Sequence, residues 1–241
     1  MARPHRFFLD SIPASGNAIL SGSEHHHMSR VLRIGPRETV LLFDGKGQLA
    51  RGRVSKISKT ESIIEVLDCE HRPAPAFELH LALALTKGKQ SESVIRMSTE
   101  LGVTSIQPVL TERSVVRPSD ANRITGRWQR TTIEAARQCG RNFLPLVKDE
   151  ITLSELVQNE AADTLQLIPH TASARPLREV LRGSEYGAVT ILIGPEGGFT
   201  DAEAELAVEN EFTPISLGPN ILRVETACLM ALSAVLYELW N

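Results

Sequence analysis

Beyond residue 77, short apolar runs of strand character alternate with segments of helical period. That alternation restricts this part of the chain to a sheet with parallel pairs and helices on its faces, an α/β architecture. The expected strands are Glu78–Leu85, Ser105–Leu110, Leu165–Ile168, Ala188–Ile193 and Pro214–Leu217. Between and after them, helices are expected over Ser91–Leu101, Arg123–Cys139, Arg175–Arg182, Asp201–Asn210 and Glu225–Trp240. Gly102 stands where a helix C-cap needs a left-handed residue. Ligands of such sheets bind outside the carboxyl ends of the strands, so the loops there are the first place to look for function.

The front of the chain has a different rhythm. Strands are expected at Arg6–Leu9, Thr39–Phe43, Ala50–Ile57 and Ser62–Leu67, joined by turn chemistry such as Asp44-Gly45-Lys46-Gly47. Ser23 can cap one short helix that runs to about Leu32. So many short strands in so few residues suggest a small β-barrel. The run Arg72-Pro73-Ala74-Pro75-Ala76 breaks both helix and strand. The expected division is a barrel domain over 1–72, a linker over 73–77 and an α/β domain over 78–241.

The formal net charge of −3 conceals a polarised chain. Residues 1–72 carry a net +3, residues 111–145 a net +4 and residues 146–241 a net −10. A basic front with an acidic rear argues against non-specific polyanion binding by the whole protein, and suits a polyanion docked on one face. The three cysteines, Cys69, Cys139 and Cys228, have no paired spacing, which disfavours a disulfide framework or a zinc site and suits a reducing cytoplasm. No run is apolar and long enough to span a bilayer, and the polar, basic N-terminus has no signal-peptide core. Neighbours in His25-His26-His27 point in different directions on a helix and cannot converge on one metal, so no metal site is expected there. Met28 and Leu32, one turn apart, read as core.

Two loops follow strands and lead into helices: Gly194-Pro195-Glu196-Gly197-Gly198-Phe199-Thr200 and Leu217-Gly218-Pro219-Asn220-Ile221-Leu222-Arg223-Val224-Glu225-Thr226-Ala227. Neither is a P-loop, because no Lys-Ser/Thr pair follows, and the glycine spacing is not the dinucleotide fingerprint. Gly197 and Gly198 let a ligand approach the backbone closely, and Thr200 with Glu203 forms a capping box for the next helix. In the second loop, Gly218-Pro219-Asn220 forces a turn, Ile221 and Leu222 give apolar surface and Arg223 adds one cation beside it. Arg223 is also placed to pair with Glu196 or Glu225. Together the loops could wall one small-molecule site.

A third cluster is rich in arginine. Arg113, Arg117, Arg123, Arg127 and Arg130 precede Glu134, Gln138 and Arg141, which fall at i, i+4 and i+7 and are expected to share one helix face. Residues 111–145 hold seven arginines and no lysine, a composition that leans towards phosphate and base contacts in a nucleic acid.

With these residues assembled, the chain resembles the RsmE family, bacterial 16S ribosomal RNA methyltransferases that act on N3 of one uridine in the decoding region. The resemblance rests on the two loops and on several motifs in the family's order. These are Arg6-Phe7-Phe8, His25-His26 with Val31-Leu32-Arg33, Lys87-Gly88, Glu100-Leu101-Gly102-Val103, Glu112-Arg113-Ser114 and Glu134-Ala135-Ala136 with Gln138 and Arg141. Two departures stand out: Met97, beside Arg96, replaces a common lysine, and Val224 replaces a common threonine.

The resemblance implies an N-terminal PUA-like β-barrel and a C-terminal SPOUT α/β domain with a deep trefoil knot. It implies S-adenosylmethionine as methyl donor, a homodimer, and 16S rRNA, within the small ribosomal subunit, as partner. The implied cofactor residues are Ile168, Pro169 and His170; Gly194, Pro195, Glu196, Gly197 and Gly198; and Leu217, Gly218, Ile221, Leu222, Arg223, Glu225, Thr226 and Ala227. Arg223 is the expected stabiliser of charge on the uracil, and Glu196 or Glu225 the expected base. The implied RNA contacts are Arg6, Arg30, Arg33, Arg113, Arg117, Gln138 and Arg141. A methyltransferase of the same superfamily with another RNA target, or an RNA-binding protein without catalysis, remains an alternative on sequence.

Overall fold

The computed structural model describes residues 4–86, 90–114, 116, 118–159, 163–170, 175–182 and 186–239. The chain divides into two compact units, 1–74 with 136–144, and 75–135 with 145–241. The run expected as one domain, 78–241, therefore gives residues 136–144 to the first unit.

In the first unit, β1 (Arg6–Phe8), β2 (Gly16–Ser21), α1 (Gly22–His26), β3 (Thr39–Phe43), β4 (Gln48–Ile57) and β5 (Glu61–His71) follow in order. The five strands form one sheet, β1-β3-β4-β5-β2, with β1 parallel to β3 and the rest antiparallel. Among the described residues no pairing joins β1 to β2, so the expected barrel is not closed by hydrogen bonds. Period-two alternation sets its inner face. Ala50, Gly52 and Val54 are buried on β4 while Arg51 and Arg53 are exposed. Two irregularities in the β4–β5 register, at Arg51/Gly52 and Val54/Lys56, bend these long strands over the core of Phe7, Leu20, Met28, Leu42 and Ile64.

Two local expectations are corrected here. Strand β2 was not expected, although Ala18 and Leu20 alternate inward with Asn17 and Ile19 outward. The helix expected from a Ser23 cap starts at Gly22, with Ser21 at the cap position and no side-chain cap bond. It then widens into a π-helical turn, His27–Val31, in which the Leu32 N–H reaches the His27 carbonyl at 2.9 Å. Met28 is fully buried and Leu32 packs against the same core.

Residues 136–144 are held in the first unit by side chains and by backbone hydrogen bonds. Gly140, at φ +88°, supplies the left-handed residue that ends a helix. Arg141 therefore lies past the helix end and does not share a helix face with Glu134 and Gln138, contrary to expectation. Arg6, 5 % exposed, stacks its guanidinium 4.8 Å from the Phe43 ring centre. Its Nη2 donates to the Arg141 carbonyl at 3.0 Å and to Asn142 Oδ1 at 2.6 Å. Gly45 accepts from the Leu144 N–H at 2.9 Å, and Arg137 pairs with Glu24.

The second unit contains β6 (Glu78–Ala84), α2 (Gln90–Glu100), β7 (Ser105–Leu110), α3 (Pro118–Cys139), β8 (Leu146–Val147), β9 (Ile151–Thr152) and α4 (Leu153–Gln158). The last turn of α3, from Ala136, is assigned to the first unit. There follow β10 (Thr164–Pro169), β11 (Arg175–Pro176), α5 (Leu177–Leu181), β12 (Ala188–Ile193), α6 (Asp201–Glu209), β13 (Thr213–Ser216) and α7 (Val224–Leu239). All eight strands pair in parallel, in the order β11-β13-β10-β12-β6-β7-β8, with β9 also on β7. Helix α3 begins at Pro118 rather than Arg123, because proline suits a first helical position. Helix α5 is shorter than expected: Arg175 and Pro176 pair as a strand first.

Strand alternation gives this sheet two apolar faces. Leu79, Leu81 and Leu83 of β6 join the core formed with α2, α3, α5 and α7, while Ala82 joins Leu192, Ile168 and the residues of α4 and α6. Helix α7 buries Val224, Cys228, Ala231, Leu232 and Val235, one stripe at helical period. Burial pushes the Cys228 thiol up to about 12, so it stays protonated beside Ser98.

At the amino edge of the sheet, His80 Nδ1 meets Ser105 Oγ at 2.8 Å and Nε2 lies 3.2 Å from Glu78. Burial lowers the His80 pKa from its ordinary 6.5; Glu78 opposes this and Lys148 reinforces it.

Two predictions follow from these contacts. Arg6→Ala strands the Asn142 side chain and a carbonyl, and costs about 2–4 kcal/mol in urea unfolding. A cost under about 0.5 kcal/mol would deny the latch. The unfolded chain binds a proton at His80 more tightly than the native one, so stability is full above the ordinary value and is lost as pH falls below it. The urea midpoint therefore falls between about pH 7.5 and about pH 5.5, and falls less in His80→Asn.

Candidate functional site

Parallel pairing brings three loops to one edge of the second unit. Strand β10 is flanked by β13 and β12, and the carboxyl ends of all three lie side by side. The loops that leave them begin at His170, Gly194 and Leu217. These are the three segments singled out from the sequence. The His170 N–H donates to the Ile215 carbonyl at 3.0 Å, which ties the first loop to the strand that launches the third.

The middle loop is a tight turn with its own packing. The Gly198 N–H donates to the Pro195 carbonyl at 2.9 Å, and Gly198 sits at φ +68°. The Phe199 ring folds back on Gly194 so closely that a Cβ there would lie 3.0 Å from it. Pro195 is buried, whereas Glu196 and Gly197 are exposed. A Cβ on Gly198 or Gly218 would meet nothing within 4 Å, so both look onto open space. Thr200 accepts from the Glu203 N–H at 3.2 Å, and Glu203 accepts from the Thr200 N–H at 2.9 Å, which completes the expected capping box of α6.

The third loop turns through Gly218, at φ +121°. It presents Ile221, 91 % exposed, then half-buried Leu222 and exposed Arg223. The Arg223 carbonyl accepts from the Ala227 N–H at 2.8 Å, in the first turn of α7. Among the described residues Arg223 has no ion pair, so neither pairing considered from sequence is made. Leu217, Glu225 and Ala227 are half-buried and Thr226 is exposed. Pro169 and His170 are also half-buried, but the Ile168 side chain packs into the core behind the edge, which leaves only its backbone for a ligand.

The arginine candidates separate into groups. Arg30 and Arg33 are exposed on the first unit, Arg33 with φ +55°, and Gln138 is exposed there too. Arg6 is spent inside that unit, so its expected role as an RNA contact gives way to a structural one. Arg141 is half-buried, and desolvation pushes its pKa down to about 10, still charged near neutrality. On α3, Arg123 pairs with Asp120, Arg127 with Glu92, and Arg130 donates to the Gly126 carbonyl. Arg96 lies 3.8 Å from Glu134. Arg117, Lys87 and Gly88 lie outside the described residues.

Sequence reasoning missed how the middle loop is held. Arg113 Nη1 donates to the Gly197 carbonyl at 2.7 Å and to the Phe199 carbonyl at 3.2 Å. The Glu112 N–H donates to Glu203 Oε1 at 2.7 Å. The capping box could be read from residue types; its second use by a distant loop could not.

Comparison with known proteins agrees along the chain. Residues 72–236 match a family model described as an RNA methyltransferase domain, and residues 20–67 match an RNA methyltransferase PUA domain. Ribosomal RNA small subunit methyltransferase E of Synechocystis sp. is 38% identical over 221 residues, 90% of this chain and 71% of that protein. The Bacillus subtilis protein of the same name is 32% identical, over 97% of this chain and 96% of its own. The crystal structure of the Neisseria gonorrhoeae protein of that name, bound to S-adenosyl methionine, superposes with a TM-score of 0.89 at 33% identity and covers 98% of each chain.

The glycine geometry gives a direct test. Gly218→Ala forces a side chain into the left-handed region and costs about 1–3 kcal/mol in urea unfolding. Gly197→Ala meets only the Arg113 stem, at 3.4 Å, and stays within about 0.5 kcal/mol of the parent protein.

Proposed function

Because the chain belongs to the RsmE family of ribosomal RNA small subunit methyltransferases, we propose that it transfers a methyl group from S-adenosylmethionine to 16S rRNA of the small ribosomal subunit. The observation that carries this reading is the set of three loops at the adjacent carboxyl ends of β13, β10 and β12, in a fold shared with a relative solved with that cofactor bound. The residues fit the cofactor. Open space over Gly198 and Gly218 admits a ligand to the backbone, and Ile221 and Leu222 add apolar surface for a flat ring. His170, Gly194–Gly198 and Leu217–Ala227 would hold it.

When bound, the cofactor supplies an electrophilic methyl on a sulfonium. This chain supplies position and charge. The acceptor is N3 of one uridine in the decoding region, which must lose its proton. Arg223 stabilises the negative charge that then develops on the uracil carbonyl oxygens. Glu196, exposed on the middle loop, takes the N3 proton, with Glu225 in the first turn of α7 as the other candidate. The RNA backbone is met by Arg30, Arg33, Gln138 and Arg141 of the PUA-like unit.

The second unit is read as a SPOUT domain with a trefoil knot. The strand order supports this: the chain leaves β12, passes β10 and forms β13 on its far side, and α7 then returns to pack on α2, α5 and β12. A homodimer accounts for the outer face of α7. There Met230 and Tyr237, seven residues apart, are 46% and 89% exposed although the inner face of the same helix is buried. The three free thiols suit the cytoplasm.

The test is methyl transfer from labelled S-adenosylmethionine to small subunits from cells that lack the gene, with the product nucleoside mapped. N3-methyluridine at one position is expected; label at another base or in another RNA would overturn the assignment. Arg223→Ala should cut kcat at saturating cofactor by about a hundredfold to a thousandfold. Unchanged turnover would remove Arg223 from the mechanism.

A further inference from the structure

We infer that Arg113 is a positioning residue for the cofactor loop, and that it acts on S-adenosylmethionine affinity rather than on RNA. The inference rests on the reading of residues 194–200 as part of the cofactor site. Arg113 follows β7, two strands away from β12 in the sheet, yet its guanidinium closes on the turn that β12 launches. Both protons of Nη1 are committed, one to Gly197 O at 2.7 Å and one to Phe199 O at 3.2 Å. These two carbonyls bracket Gly198, the loop residue at φ +68°. Fixing them fixes the 197–198 and 199–200 peptide planes, which hold between them Gly198, the most permissive residue in the turn, and Phe199.

The stem of Arg113 is placed as deliberately as its head. Gly197 lies against it, since a Cβ there would be 3.4 Å from Arg113 Cδ and 3.6 Å from its Cβ. The arginine itself stands on a braced turn. The Thr111 and Ser114 hydroxyls are 2.8 Å apart, and the Ser114 N–H donates to the Thr111 carbonyl at 3.0 Å. Next to it the Glu112 N–H binds Glu203 Oε1, while Oε2 of the same carboxylate accepts from the Thr200 N–H. The loop is thus clamped at two points by one neighbouring turn, at Gly197–Phe199 through Arg113 and at Thr200 through Glu203.

Both bonds leave one nitrogen whose two protons lie in the rigid guanidinium plane and point in fixed directions; a lysine ammonium is a point donor on a flexible stem. Both carbonyls are near solvent, so losing the guanidinium leaves them hydrated and the fold intact. What is lost is order. A loop free to move must be frozen again when ligand binds, and that cost falls on ligand affinity.

The test uses the full-length protein and S-adenosylmethionine itself, by calorimetric titration and by steady-state kinetics on small subunits that lack the methyl group. Arg113→Ala raises the Kd and KM for S-adenosylmethionine about tenfold, the weight of re-freezing one backbone residue. The KM for RNA stays within about twofold, and kcat at saturating cofactor falls less than about threefold. Arg113→Lys recovers part of the affinity. The inference is overturned if cofactor Kd is unchanged in Arg113→Ala, or if the RNA KM rises as much as the cofactor KM. It is also overturned if both variants lose affinity equally along with a lowered Tm, which would mark a purely structural arginine. Parent protein that binds no S-adenosylmethionine would instead defeat the functional reading on which the inference rests.

Discussion

Everything at the candidate site depends on β10 being paired in parallel on both sides. Parallel pairing puts all carboxyl ends on one edge, so the segments after β13, β10 and β12 leave the sheet as neighbours although they are far apart in sequence. Antiparallel pairing of any one of these strands would send its loop to the opposite edge. The pairing is secured by side chains that have no part in chemistry. Leu165 and Leu167 of β10, Val189, Ile191 and Ile193 of β12 and Ile215 of β13 share one core. Fully buried parallel strands need apolar residues on both faces, and Ile168 and Leu192 supply the other face.

The first unit solves a different problem. It is a small sheet with two unjoined edge strands, and a short domain of this kind has little core to spend. Part of its stability comes from residues 136–144, held by Arg6 through Asn142 and the Arg141 carbonyl and by Arg137 through Glu24. Such contacts draw arginines away from the surface that a composition count assigns to them. Arg6 and Arg137 count towards the basic composition, yet they serve packing and chain direction more than a polyanion. The same holds, more weakly, for the exposed pair of Arg123 with Asp120 and the part-buried pair of Arg127 with Glu92, since surface ion pairs contribute little.

How much could be read from the sequence varied with the physical signal. Thr39–Phe43, Ser105–Leu110 and Ala188–Ile193 were legible to the residue because apolar runs of that length with turn residues at their ends have few alternatives. The capping box at Thr200 and the helix end before Gly102 were legible because caps have narrow chemistry. Strands β8, β9 and β11, two residues each, carry no period to detect. The fate of Arg141 was misread although its cause, Gly140, stood in plain view: a helix face was continued through a stop signal. The grip of Arg113 on the middle loop left no trace in residue spacing, because its partners are backbone carbonyls, which every residue owns.

That last point bears on how such a site is built. A pocket recognised through backbone needs residues without bulk at the points of approach, and Gly198 and Gly218 meet that need. The same residues leave the loop free to take many shapes, and freedom in the unbound loop subtracts from affinity. A site of this kind therefore needs rigid side chains close by that never touch the ligand. Phe199 over Gly194, Pro195 buried at the turn and the capping box at Thr200 brace the middle loop from within. Arg113 and Glu203 brace it from the next loop along the sheet edge. In the proposed reading, chemistry falls to exposed groups such as Glu196 and Arg223, standing on loops that also carry exposed apolar surface at Ile221.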